Sequence, residues 1–245
     1  MIGTSKQKVK FNGALGIVVF MASTVFAQFQ DVTASVQIAR IKAETAKKNT
    51  DGNVVVWLVR LDGLKTTLQP STSLKLVQKD KRFSPHVLIV PVGSSVEFPN
   101  QDPFFHNVFS LFNGKRFDLG LYESGSTRYV HFDHEGVSYI FCNIHPEMSA
   151  VIVALSTPYY AVSSADGRVI VRAVPDGDYE LHVWAEGTDE QQLNALTRRV
   201  HIPPDGRSLG TILLTESTQN SVHKNKFGEE YPPTLQPVYG APAEH

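Results

Sequence analysis

From Gln28 onward the chain is a succession of short β-branched or aromatic runs closed off by Gly, Pro, Asn or Asp. Nothing else in the sequence limits the possible folds as strongly. Asn53–Val59, Val87–Val90, Ser95–Phe98, Val137–Phe141 and Ala150–Leu155 are such runs. In one of them Tyr139 and Phe141 alternate with Ser138 and Ile140, as on a strand with unequal faces. Helical spacing is confined to two short stretches, Ala43–Lys48 and Asp189–Leu196, neither with a persuasive apolar face. The expected fold class is therefore all-β, built of sandwiches or barrels. With 42% hydrophobic and 19% charged residues, the chain has ample material for packed cores.

A break falls near Ser156-Thr157-Pro158. Beyond it, Gly167–Ala173, the turn Pro175-Asp-Gly-Asp178 and Tyr179–Trp184 read as a hairpin, with Thr197–Ile202 and Leu209–Leu214 as further strands. That makes a second small module of roughly 60 residues. After Glu216 the chain is polar, with Pro232, Pro233, Pro237 and Pro242, and reads as a mobile or surface-draped tail. At the other end, Lys6, Lys8 and Lys10, the apolar Ala14–Ala22 and the small-residue site Val25-Phe26-Ala27 read as a secretory signal cut after Ala27. The alternative is an uncleaved anchor, but the apolar run is too short to span a bilayer. The expected organisation is a signal peptide over 1–27, a first domain over 28–156, a second over 157–216 and a tail over 217–245. Losing three lysines with the signal takes the formal charge from −1 to −4. A mildly acidic chain without a basic cluster is a poor ligand for nucleic acid, and no membrane span is expected in the mature chain.

The sulfur count is the sharpest chemical clue. One Cys, Cys142, excludes an internal disulfide, a multi-thiolate zinc site and an iron–sulfur cluster held by this chain alone. Of three Met, Met1 and Met21 lie in the signal, so the mature chain keeps Cys142 and Met148, six residues apart. In an oxidising compartment a lone thiol is an anomaly. It is either a buried core Cys or a thiolate held by a metal. The neighbours favour the metal: Cys142, His145 and Met148 stand at i, i+3 and i+6, and His106 lies on a separate strand-bounded loop, Asn100–Ser110. One thiolate, two imidazoles and a weakly bound thioether are the ligand set of a blue-copper electron-transfer centre, suited to both Cu(I) and Cu(II).

At these residues the sequence resembles the cupredoxins. Phe83–Asp102 followed by His106-Asn107-Val108 is similar to the strand and loop that deliver the first copper histidine in plastocyanin-type domains, and the short Cys142–Met148 loop is similar to that of amicyanin. The resemblance covers roughly residues 31–155 and implies a Greek-key cupredoxin β-sandwich. It further implies one type 1 copper ion bound by His106, Cys142 and His145, with Met148 axial and Asn107 tying the two loops together. The second module resembles a carboxypeptidase-regulatory, transthyretin-like β-sandwich, through Asp166-Gly-Arg and Val174–Tyr179. Chains joining the two resemble exported bacterial proteins of the methylamine-utilisation type.

The expected function is that of a periplasmic or secreted electron carrier, not an enzyme, working with a transient redox partner. Histidines directly flanking the Cys would wire it to a second copper, but here the flanks are Phe141 and Asn143. Phe104, Phe105 and Pro146 would ring His145 with a small apolar docking patch, and Glu147 would bias partner choice. The competing class is copper storage or delivery without turnover, or a second module that binds a glycan or a cell surface. His131-Phe-Asp-His134 reads as a solvated turn, and His86, His182 and His201 as isolated histidines without a role.

Overall fold

The structure, a computed structural model, describes residues 29–39, 53–64, 66, 68–111, 114–215 and 224–231. It is nearly all strand. The chain opens with β1 (Phe29–Ala39) and β2 (Val55–Arg60), then β3 (Leu74–Lys75), β4 (Val77–Lys79), β5 (Arg82–Ser84) and β6 (Val87–Pro91). Next come β7 (Ser94–Pro99), β8 (His106–Ser110), β9 (Phe117–Tyr122), β10 (Thr127–Phe132), β11 (Gly136–Cys142) and β12 (Ser149–Leu155). The last part holds β13 (Tyr160–Val162), β14 (Arg168–Pro175), β15 (Gly177–Trp184), the helix α1 (Glu190–Leu196), β16 (Arg198–Ile202) and β17 (Arg207–Thr215).

Four sheets carry the molecule, with the small pair β4-β5 beside them. They have the orders β14-β1-β17, β13-β2-β15-β16, β6-β12-β11-β8-β9 and β10-β7-β3. Side-chain alternation explains how they stack. On β12, Ala150, Ile152 and Ala154 enter one core with Val96, Phe98, Phe132 and Ile140. Val151, Val153 and Leu155, on the opposite face, join Val55 and Trp184 in another. On β2, Val56 and Leu58 look into a third core with Val32, Val171, Tyr179 and Ile202. The layers therefore run as sheet, core, sheet, shared core, sheet, core, sheet. The unbroken apolar run of Ala150–Leu155 is that of a strand covered on both faces.

Three expectations change. The first concerns the boundary at 156/157: β1 pairs antiparallel with β14 and parallel with β17, and β2 pairs with β13 and β15. Strands expected in the first domain thus bond into the sheets of the second. Val32, Ala34 and Val36 of β1 show a half-buried alternation, and alternation does not say which sheet a strand joins. The second is the Pro175–Asp178 hairpin. β14 bonds to β1, while β15 bonds to β2 and β16, so the turn crosses between two sheets. An extra residue on β14 opposite Gln30/Val32, with Ala173 at φ 53°, bends the strand toward that crossing. The third is Asp189–Leu196, which does form a helix, capped where Asp189 accepts from the Gln192 N–H. Ala43–Lys48 and the signal segment lie outside the described residues.

The isolated histidines all acquire carboxylates: His182 lies 3.0 Å from Glu180, His201 2.8 Å from Asp178 and His86 2.6 Å from Glu186. The last pair clasps the two halves, since His86 precedes β6 and Glu186 follows β15; His86 Nδ1 also lies 3.2 Å from the Ser149 carbonyl. Glu186 holds His86 above its usual range, against the opposing effect of burial. A histidine raised in the folded state stabilises the fold while protonated, and that contribution fades as pH rises through the folded value. His86→Gln is therefore expected to lower the thermal midpoint at about pH 5.5 and to lower it much less at about pH 9. Removing residues 157–245 strips β1 and β2 of their partners and bares Val151, Val153 and Leu155. The shortened chain is expected to lose cooperative thermal unfolding and to precipitate.

Candidate metal centre

The site forms where the ends of β8 and β11 meet. Register places Phe141 opposite Phe109 and Cys142 opposite Val108, so the last residue of β11 arrives beside the first residues of β8. The loop after β11 folds back on itself: the Met148 N–H donates to the His145 carbonyl at 3.0 Å, and the Cys142 N–H to the Met148 carbonyl at 3.4 Å. One tight loop thereby turns the Cys142 thiol and the His145 imidazole toward His106.

The three donor atoms form a compact triangle. Cys142 Sγ lies 3.5 Å from His106 Nδ1 and 3.6 Å from His145 Nδ1, and the two Nδ1 atoms are 3.2 Å apart. The centre of a triangle with those edges is about 2 Å from each corner, close to the ~2.0 Å of a zinc–nitrogen bond and slightly inside the ~2.3 Å of zinc–sulfur. A metal ion fits there with small adjustment. Among the described residues this is where His, Cys, Asp or Glu side chains gather in a group of three with metal-ligand geometry. His131 and His134 are both exposed and stand apart from it.

Asp102 decides the chemistry of His106. Its Oδ2 lies 2.9 Å from His106 Nε2, and both side chains are almost wholly buried. Burial pushes the Asp102 carboxyl up, but the hydrogen bonds from His106 and from the Lys81 and Asp80 N–H groups outweigh it and hold the group below its usual range. An ionised carboxylate only accepts, so the proton of His106 sits on Nε2 and the Nδ1 lone pair is left for a metal. Burial also lowers His106 itself, and lowers His145, where the neighbouring His106 adds to the effect. Both imidazoles are neutral at pH 7, the state in which they ligate. Burial raises the Cys142 thiol while the Ile144, Asn107 and His145 N–H groups pull it down. The raised thiol keeps its proton until a metal displaces it.

The surroundings hold the triangle in place. Asn100, itself buried, accepts from the Asp102 N–H at 3.0 Å and donates to the Phe104 carbonyl at 2.7 Å, closing the loop that leads into His106. Phe104 lies against both rings, 5.4 Å from His106 and 5.3 Å from His145 between centroids. Asp80 and Lys81, at φ 55° and 53°, turn their N–H groups onto Asp102. Asn107 joins the two ligand segments through its carbonyl, which accepts from the Asn143 N–H at 2.9 Å; its side chain turns instead to Asp118 at 2.6 Å. Met148 is fully buried in the same core as Cys142. His145 is partly exposed, and so are the residues beside the two imidazoles in the chain, Ile144 before His145 and Phe105 before His106.

Sequence reasoning brought together His106, Cys142 and His145 and missed Asp102, although an acid four residues ahead of a candidate histidine was a legible signal. It also missed Lys226 and Tyr231, for which no local signal exists. Lys226 donates its N–H to Asn143 Oδ1 at 3.0 Å, and Tyr231 its hydroxyl to the Cys142 carbonyl at 3.1 Å.

Fold and site together define a β-sandwich protein with a His–Cys–His metal cluster at one edge. No protein-family model matches the chain, and no curated protein does. Parts of it are similar to solved cupredoxin structures. A purple cupredoxin from Nitrosopumilus maritimus is 25% identical over 34% of this chain and 100% of that one, with a TM-score of 0.31. A copper-containing nitrite reductase from Thermus scotoductus is 24% identical over 49% of this chain and 28% of that one, with a TM-score of 0.34. A reduced Cu(I) form of an amicyanin mutant is 15% identical over 41% of this chain and 98% of that one, with a TM-score of 0.33. With TM-scores this low, what the site can do rests on its own geometry.

Removing the charge behind His106 frees its tautomer and loosens its aim. Asp102→Asn is expected to weaken metal binding about 10- to 100-fold, measured by competition with a chelator of known affinity.

Proposed function

We propose that this chain is an exported type 1 copper protein that carries one electron between redox partners. The observation that carries the reading is the preset triangle of one thiol and two neutral imidazoles, with edges of 3.2 to 3.6 Å. When bound, copper would supply a one-electron couple between Cu(I) and Cu(II). His106, Cys142 and His145 would hold it, with the thioether of Met148, buried in the same core as Cys142, as a weaker fourth ligand. The protein's part is to keep those donors where they are: Asp102 fixes the His106 tautomer, Asn100 and Phe104 fix its loop, and burial keeps bulk water from the Cys142 and His106 side of the site. Ligands that need not move on reduction let the electron pass with little rearrangement.

His145 is the partly exposed ligand and would be the exit. Phe105 and Ile144, 49% and 44% exposed, offer apolar area for a brief docking contact, with the exposed Glu147 as a charge at the rim. A storage or delivery protein needs ligands that exchange readily. Here Cys142 and His106 are both 0% exposed, which favours a resident ion. Export rests on the signal-like residues 1–27, which lie outside the described residues. No helix among the described residues is long and apolar enough to cross a membrane.

Adding Cu(II) to the protein is expected to produce an intense thiolate-to-copper absorption in the visible. Cys142→Ser is expected to abolish it, whereas Met148→Leu should keep the colour and raise the reduction potential. A colourless protein that binds zinc equally well, or colour retained in Cys142→Ser, would sink the reading.

A further inference from the structure

The segment 224–231 lies a long way along the chain from the metal-site residues, yet it bonds to the end of β11 that carries Cys142 and, through Asp118 on β9, reaches Asn107 on β8, the residue after His106. The Lys226 ammonium donates to Asp118 Oδ2 at 2.8 Å, and the other oxygen of Asp118 accepts from the Asn107 side chain at 2.6 Å. The Asn107 carbonyl accepts from the Asn143 N–H at 2.9 Å, and Asn143 Oδ1 accepts from the Lys226 N–H at 3.0 Å. The four bonds close a circuit through the residue after His106, the residue after Cys142, a β9 carboxylate and the returning tail. Separately, the half-buried Tyr231 donates its hydroxyl to the main-chain carbonyl of Cys142 itself, at 3.1 Å.

We propose that residues 224–231 are part of the metal site, with Lys226 and Tyr231 as positioning residues that latch the Cys142–Met148 loop to the strand carrying His106. The inference rests on the copper reading above and adds to it. Within itself, the ligand loop has two backbone hydrogen bonds, Met148 to His145 and Cys142 to Met148. Two internal bonds leave a loop of that length free to shift unless it is also held from outside. The tail adds its hold on the Cys142 side, where a shift of the carbonyl would move the thiolate. Bonds that share partners in a circuit reinforce one another, so loss of one member loosens the rest. The Lys226 side chain is 24% exposed and that of Asp118 41%, so solvent partly screens their pairing and its worth lies in the circuit it closes. The Tyr231 hydroxyl has a second, electrostatic effect. Its dipole points its positive end at the Cys142 carbonyl and favours added negative charge, hence the reduced site.

The test uses the full chain loaded with Cu(II), with Tyr231→Phe and Lys226→Met compared against wild type. Copper release into excess chelator is followed by decay of the visible band, and the reduction potential is measured on the same samples. Each variant is expected to release copper roughly two- to tenfold faster, the factor for loss of one hydrogen bond of ordinary worth. Tyr231→Phe is also expected to lower the potential, and Lys226→Met to change it less. A purely structural contact would alter the thermal midpoint without that difference in potential. If Lys226→Met fails to fold, Tyr231→Phe, which keeps the ring, decides alone. Wild-type release and wild-type potential in a variant that shows the band would overturn the latch while leaving the copper reading intact. A wild-type chain that forms no band would overturn both.

Discussion

The site depends on one short pairing, Cys142 opposite Val108 at the ends of β11 and β8. These strands meet over only two register positions, and their meeting brings the thiol to His106 and lets the Asn107 carbonyl take the Asn143 N–H. A slip of one residue would turn Cys142 to the opposite face and leave His106 facing a main chain. Register is held by burial on both sides: Ile140, Cys142 and Val108 belong to one core, while Tyr139 and Val137 pack into the core shared with the second module.

That shared core changes what the second module is for. A sheet whose two faces are both covered is stiff, and the sheet of β6, β12, β11, β8 and β9 carries all the ligand-bearing strand ends. Trp184, Val55 and Trp57 on one side and Val151, Val153 and Leu155 on the other supply apolar area at roughly 25 cal/mol per Å² removed from water. The module also supplies the tail that returns to the ligand loop. The Trp184 indole N–H lies 3.4 Å from the Tyr139 hydroxyl, so this interface includes a polar contact on β11, the strand that ends in Cys142.

What could be read from the sequence followed the range of the forces. The pairing of Cys142 with His145 was legible because the two stand three residues apart in one short loop and Cys142 is the chain's one cysteine. Strands β6, β7, β11, β12, β15 and β16 were legible because alternation and turn residues act over a few positions. Partnership was not. The parallel pairing of β1 with β17 joins strands at opposite ends of the chain, and Val32-Thr-Ala34-Ser-Val36 would suit either module equally well. The Asp-Gly turn after Pro175 signalled a reversal but not that the reversal changes sheets. Asp102, four residues ahead of His106, was visible as a candidate partner, but which ring nitrogen it meets is settled only when the loop closed by Asn100 folds it under His106. Lys226 and Tyr231 acquire theirs only from the path of the tail.

The central claim is that the donors are set before the metal arrives and stay set when the electron moves. X-ray absorption at the copper edge, on the loaded protein in both oxidation states at neutral pH, tests it directly. The account predicts two nitrogen ligands and one short sulfur ligand in each state, with nearly unchanged distances. A site that lacks the short sulfur ligand, or that sheds a histidine on reduction, would contradict it.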